Sequence, residues 1–144
     1  MEFEQDNELI VIRLWKDEEI LSSLTEFCNS HQINAGWISG IGAAEKIIAG
    51  YYDFIRKEYV WKEFEGVHEI VPLTGNISQI GEKVFLHLHV NFTDHDLRSY
   101  CGHLKSAIVN PTLEVIVCKL TRPLVRFYDI ETGLYLLKLS NNNI

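Results

Sequence analysis

Between Val84 and Leu104 the chain reads VFLHLHVNFTDHDLRSYCGHL, a stretch that holds four of its six histidines. From Phe85 to Phe92 apolar residues alternate with others, the period-2 pattern of a strand with one buried face. Leu86, Leu88 and Val90 share that face, so His87 and His89 share the opposite one, with α-carbons roughly 6.5–7 Å apart. Two imidazoles leaving one side of a rigid strand are spaced to chelate a single divalent ion, and three histidines with an open fourth position are a known arrangement for catalytic zinc. A third donor is then required. His103 is the first candidate, because Cys101-Gly102-His103-Leu104 reads as a small-residue turn able to return the chain beside the strand. His95 is the second, although its polar loop Thr93-Asp94-His95-Asp96 reads more simply as solvent-exposed. The same cluster also fits a polar cleft or a subunit contact in which the histidines only hydrogen-bond.

Two carboxylates are placed to serve such a site. Glu69 lies in HEIVPLTGNIS, and Glu114 stands near the start of the apolar run LEVIVCKL. Each is either a solvated surface group or a partner for a metal-bound histidine, and either could act as a base. No nucleophile elbow, Ser/His/Asp set or cofactor loop names a substrate. Gly40 and Gly42 do not make a phosphate loop, because the third glycine, the Lys-Ser/Thr pair and the following helical pattern are all missing; close packing or a bulge explains them better.

The elements that must hold these residues follow from patterning. ELIVIRLW, residues 8–15, predicts a strand in which Arg13 sits among apolar neighbours and needs a partner. Ile20, Leu21, Leu24, Phe27 and Cys28 repeat at helical spacing and predict a helix over about 17–30, with Asp17 as N-cap. Strands are expected at 37–44, at two positions within 45–65 joined around Ile55–Glu58, and at 68–78, where Pro72 implies an edge or a bulge. Further strands are expected over 105–109 and 113–120, split by Asn110-Pro111, and over 124–130, closed by a turn at 131–134. The final SNNNI is expected to be disordered. The sum is an α+β fold: a single compact domain over 1–144, core about 8–136 between an acidic N-terminal and a polar C-terminal tail, with about seven mostly antiparallel strands and one main helix.

At 144 residues one core is expected. The composition, 47% hydrophobic and 23% charged, is that of a soluble domain, and no signal peptide or membrane span is read. Cys28, Cys101 and Cys118 are odd in number and lack a Cys-x-x-Cys spacing, so a reducing cytoplasm is expected. The net charge of −7 disfavours direct binding to DNA, whose affinity comes mainly from Lys and Arg on phosphates. Acidic residues outnumber basic ones 14 to 6 over residues 1–72, against 6 to 7 over 73–144, so any anion-facing surface is expected in the second half.

Taken in order, SGIGA at 39–43, EIVPLTGNI at 69–77, LHLHV at 86–90, GHL at 102–104, TLEVIV at 112–117 and RFYDIETGL at 126–134 resemble the plant-and-prokaryote-conserved (PPC) domain family over roughly residues 8–136. The likeness is to the stand-alone bacterial members. It implies a compact domain that associates as a homotrimer, and a histidine cluster that holds a divalent metal such as zinc. Carried over by position, His87 and His89 match the histidines of the strand motif, His103 that of the GHL motif, and Glu114 the carboxylate of the next strand. Cys101 departs from the family, which usually has a glycine there, and its thiol could compete for the metal. Plant members couple the domain to an AT-hook and bind DNA; this chain has no Arg-Gly-Arg-Pro segment. Two functions are therefore carried forward: a DNA-associated regulatory protein, and a metal-dependent enzyme or small-ligand sensor built on a three-histidine zinc site.

Overall fold

The computed structural model describes residues 1–139; the disorder expected for SNNNI falls outside the described residues. These form β1 (Glu2–Asp6), β2 (Leu9–Trp15), α1 (Ile20–Ser30), β3 (Gly36–Asp53), β4 (Glu58–Phe64), β5 (His68–Ile80), β6 (Lys83–Thr93), β7 (Ser99–Lys119), β8 (Val125–Asp129) and β9 (Leu134–Lys138). The result is one domain, mostly strand, with a single helix and a mixed sheet: every pairing is antiparallel except the contact of β5 with β8.

Alternation sets the layers. In β2, Ile10, Ile12 and Leu14 point inward while Leu9, Val11, Arg13 and Trp15 point out. The helix covers the inner side with Ile20, Leu24, Phe27 and Cys28, the expected stripe, and packs on β6 and β7. Truncating Leu24, which is fully buried, would remove about 2–5 kcal/mol. The N-cap differs from expectation. Glu19, not Asp17, accepts the Ser22 N–H at 2.6 Å, because Asp17 adopts φ 73° and gives its own N–H to the Val109 carbonyl.

Two long strands replace shorter ones expected from sequence. β3 runs unbroken through 36–53, and β7 through 99–119, across Asn110-Pro111. Proline cannot donate to a ladder, yet here it interrupts only the register: β7 pairs Leu113 with Gly42 and Val109 with Ala44, so the residues between them bulge. Pro72 behaves likewise at the shift between Ile70 and Leu73, as its position implied. The acidic N-terminus, expected as a tail, is strand β1 paired with β2, and Leu134, expected in a turn, opens β9.

β3 pairs with both β5 and β7, β5 with β6, and β6 returns to β7, so four strands close on themselves. That closure brings β6 and the start of β7 side by side. Glycine makes the approach possible at two points: a β-carbon at Gly75 would collide with the His87 carbonyl, and one at Gly102 would stand 2.7 Å from the Gly50 carbonyl oxygen.

Candidate metal centre

His87 and His89 project from the outer side of β6, two residues apart, while Leu86, Leu88 and Val90 are buried on the other. His103 joins them by cross-strand pairing, not through a turn. Residues 101–104 are strand, and His103 lies directly opposite His89 in the β6–β7 ladder. The segment between, Asp94–Arg98, supplies the reversal, with Asp94 Oδ1 accepting the N–H groups of Asp96 and Arg98. His95 is on that loop, 88% exposed and paired with Asp96, well outside the cluster.

One donor atom from each of His87, His89 and His103 lies within 4.8 Å of the other two. The Nε2 atoms of His87 and His89 are 3.2 Å apart. Zinc–imidazole bonds of about 2.0–2.1 Å in a tetrahedron put neighbouring donors about 3.3–3.4 Å apart, so this pair already has the spacing of two ligands to one ion. His103 Nδ1 is buried and has no hydrogen-bond partner, a nitrogen whose desolvation is unanswered by any described group. Both observations fit a resident divalent metal. Burial, then Arg126 and His89, lower the His87 pKa to about 4. Burial, then His87, His89 and Arg126, do the same to His103. Neutral imidazole is the ligand form, so at neutral pH no proton must leave these two rings.

The surroundings differ from expectation. Glu69 and Glu114 do not meet the histidines; they line a separate cavity together with Ile41, Val71 and Thr112, and Glu114 stands opposite Arg13 and Ile41 in the strand register. Among the described residues of this chain, neither hydrogen-bonds one of the three histidines. Cys101 faces Asn91 and is not part of the cluster.

What stands beside the histidines is Arg126. Its Nη2 lies 3.3 Å from His87 Nδ1 and 2.9 Å from Asn76 Oδ1, its Nε donates to Ser78 Oγ at 2.8 Å, and its Nη1 to the Tyr135 carbonyl at 2.7 Å. Tyr59 and Trp61 stack at 4.7 Å, and the Tyr59 ring lies 4.8 Å from that of His103. Together with Phe85, these groups border a cavity of about 330 Å³. A second cavity, lined by Tyr51, Tyr52 and Phe54, reaches His89 and His103 from another side. Arg126 escaped notice in the sequence although its signal was present: it is the lone charge in LVRFY. The same signal drew attention to Arg13, which is exposed, pairs with Glu2 at 3.2 Å and covers the Trp15 ring at 4.3 Å.

The Plants and Prokaryotes Conserved (PCC) domain model matches residues 1–121. The chain belongs to that family. Among solved structures, the PCC-domain protein described above is similar to a metal-containing protein of Archaeoglobus fulgidus, with 38% identity, 96% of this chain and 97% of that one covered, and a TM-score of 0.85. It is also similar to a provisionally designated DNA-binding protein of Bacteroides thetaiotaomicron, at 32% identity, 95% and 96% coverage and a TM-score of 0.92. A plant- and prokaryote-conserved protein of Pyrococcus horikoshii shows 25% identity, 96% coverage of both chains and a TM-score of 0.85. No curated protein matches the sequence. Among the described residues, no helix is long and apolar enough to cross a membrane.

Proposed function

We propose that this PCC-domain protein binds one divalent metal ion, zinc, through His87, His89 and His103, and that the site works on a small ligand as a sensor or a metal-dependent enzyme. The observation that carries this is the 3.2 Å separation of the His87 and His89 Nε2 atoms beside a third, partnerless buried imidazole nitrogen. The metal-containing relative from Archaeoglobus fulgidus supports it. Bound zinc would supply Lewis acidity and a water acidified towards neutrality. The protein's own residues supply the setting: neutral imidazoles, the Arg126 cation and apolar walls that limit water. Metal analysis of protein purified without chelator tests the reading. One equivalent is expected, and a His87→Ala, His89→Ala double variant with undiminished metal would overturn it.

The homotrimer is part of the same proposal. On the outward side of β2, β7 and β3, Leu9, Cys118 and Trp37 stand in one cross-strand row and Val11 and Ile116 in the next, with Trp37 55% exposed. Ser39 completes the second row and Arg13 and Glu114 border the patch, and an exposed, largely apolar patch of this kind is what further copies of the chain would cover. A cytoplasmic location agrees with three free cysteines among the described residues.

A DNA-associated regulatory role is the second reading, carried by the designation of the Bacteroides thetaiotaomicron relative. The net charge of −7 weighs against direct phosphate contact. A mobility shift with duplex DNA at low salt decides it: a salt-sensitive retarded band supports the role, and its absence removes direct binding.

A further inference from the structure

Among the described residues, Arg126 is the only lysine or arginine that is buried, at 9% exposure, and no carboxylate pairs with it. Arg13, Arg56 and Arg98 are all exposed, and each has an acidic partner. A guanidinium withdrawn from water without a counter-charge is costly, and such groups persist where something compensates them. Neutral acceptors take four of its five N–H groups, which leaves one Nη1 hydrogen free. The adjoining cavity of about 330 Å³ has walls of Tyr59, Trp61, Leu134, Leu136 and Phe85, whose ring lies 5.0 Å from the guanidinium carbon, and is bordered by His87 and His103 as well, so a positive group faces a space that is largely apolar apart from two imidazoles. Small-molecule pockets span about 300–1,000 Å³, and a cavity at the lower end suits a single ring and is too small for a dinucleotide.

We infer that this cavity binds a small ring-bearing anion, a carboxylate or a phosphate, with the anionic group on Arg126 and the ring against Tyr59 and Trp61. A carboxylate or phosphate oxygen meets the free Nη1 hydrogen and supplies the missing charge. The aromatic walls contribute stacking and exclude water, which strengthens the ion pair. The cavity adjoins the histidine cluster, since His87 and His103 border it, but the anion is held by Arg126 and the aromatic walls and needs no ion at the histidines.

Metal-free protein titrated with benzoate, phenylphosphate and benzyl alcohol tests this, with the backbone amide signals of residues 133–136, which line the cavity, followed by NMR. Saturable shifts are expected with one or both anions, and the stronger of the two identifies the preferred group. Benzyl alcohol, with the ring but no charge, is expected to bind at least about tenfold more weakly, the loss of one charged hydrogen bond. Arg126→Gln should remove that discrimination. Because Arg126 also ties β8 to β5, Trp61→Ala provides a second variant that keeps the cation; it should weaken benzoate severalfold and retain the preference over the alcohol. Equal binding of alcohol and anions, no saturable shift with either anion, or wild-type affinity in Trp61→Ala would overturn the assignment. Zinc uptake measured on the same samples keeps the two readings apart, since anion binding by protein that never takes zinc preserves this site and removes the metal centre.

Discussion

Arg126 Nη2 sits 3.3 Å from His87 Nδ1, while the other ring nitrogen, His87 Nε2, makes the 3.2 Å contact with His89 Nε2. A guanidinium only donates, so in the metal-free protein His87 Nδ1 accepts and its proton resides on Nε2. A metal held at Nε2 would leave that proton on Nδ1, where it would face a second donor. Metal-bound histidines usually present their outer N–H to a carboxylate or a carbonyl; here the neighbour is a cation. Arg126 would therefore oppose metal loading, and an anion beside it would relieve the opposition.

Arg126→Gln is accordingly expected to tighten zinc binding by several-fold to about tenfold, measured by competition with a chromophoric chelator, since an amide oxygen accepts the Nδ1 proton and one positive charge is gone. In the wild type, saturating benzoate should tighten zinc, and zinc should tighten benzoate by the same factor, as linkage requires. Weaker zinc binding in a folded Arg126→Gln variant would contradict the opposition.

Acid should destabilise the metal-free protein through the cluster. His87 and His103 are held neutral in the fold, with pKa values of about 4 against 6.5 for the ordinary side chain. As pH falls from 6.5 towards 4 the unfolded chain takes up protons that the folded one refuses, so stability present above 6.5 is lost across that window. A falling Tm is expected, with a shallower slope in His103→Asn, whose side chain does not titrate. Parallel slopes in the two proteins would show that His103 is not held neutral.

Much of this was legible in residue order and much was not, for identifiable reasons. Alternation exposes which residues share a face of one strand, so His87 and His89 could be paired from LHLHV alone. Their meeting with His103 depends on the β6–β7 register, which composition does not encode; the residue was found, but through a turn that is in fact strand. Glu69 and Glu114 were attractive because they are charges in apolar runs, yet outward faces of strands carry such charges freely. Arg126 and Arg13 look alike in sequence, and only the neighbouring elements decide which is buried. The two long strands were cut short because proline and glycine usually end pairing, whereas here bulges absorb them.

Gly75→Ala should damage both fold and site. Its β-carbon would meet the His87 carbonyl, forcing β6 away from β5. A loss of about 1–3 kcal/mol in denaturant unfolding is expected, together with weaker zinc affinity. Full stability would mean that β6 has room to move without cost.

Thiol reactivity reports on assembly. Burial pushes the Cys28 thiol up to about 12, so it should stay unmodified until unfolding. Cys101 and Cys118 are exposed in the single chain. In a trimer that covers the β2–β7–β3 face, Cys118 is protected and Cys101 is not. Mass spectrometry after brief alkylation should therefore show one modified site at high protein concentration and a second on dilution. Immediate modification of Cys118 at all concentrations would place the subunit contact elsewhere.

X-ray absorption at the zinc edge of the loaded protein bears most directly on the three-histidine centre. A first shell at about 2.0–2.1 Å, with the outer-shell scattering of three imidazoles and no sulfur, is the expected spectrum. A sulfur shell near 2.3 Å would bring in a cysteine such as Cys101, and a spectrum of oxygen ligands alone, or a protein that takes up no zinc, would contradict the centre altogether.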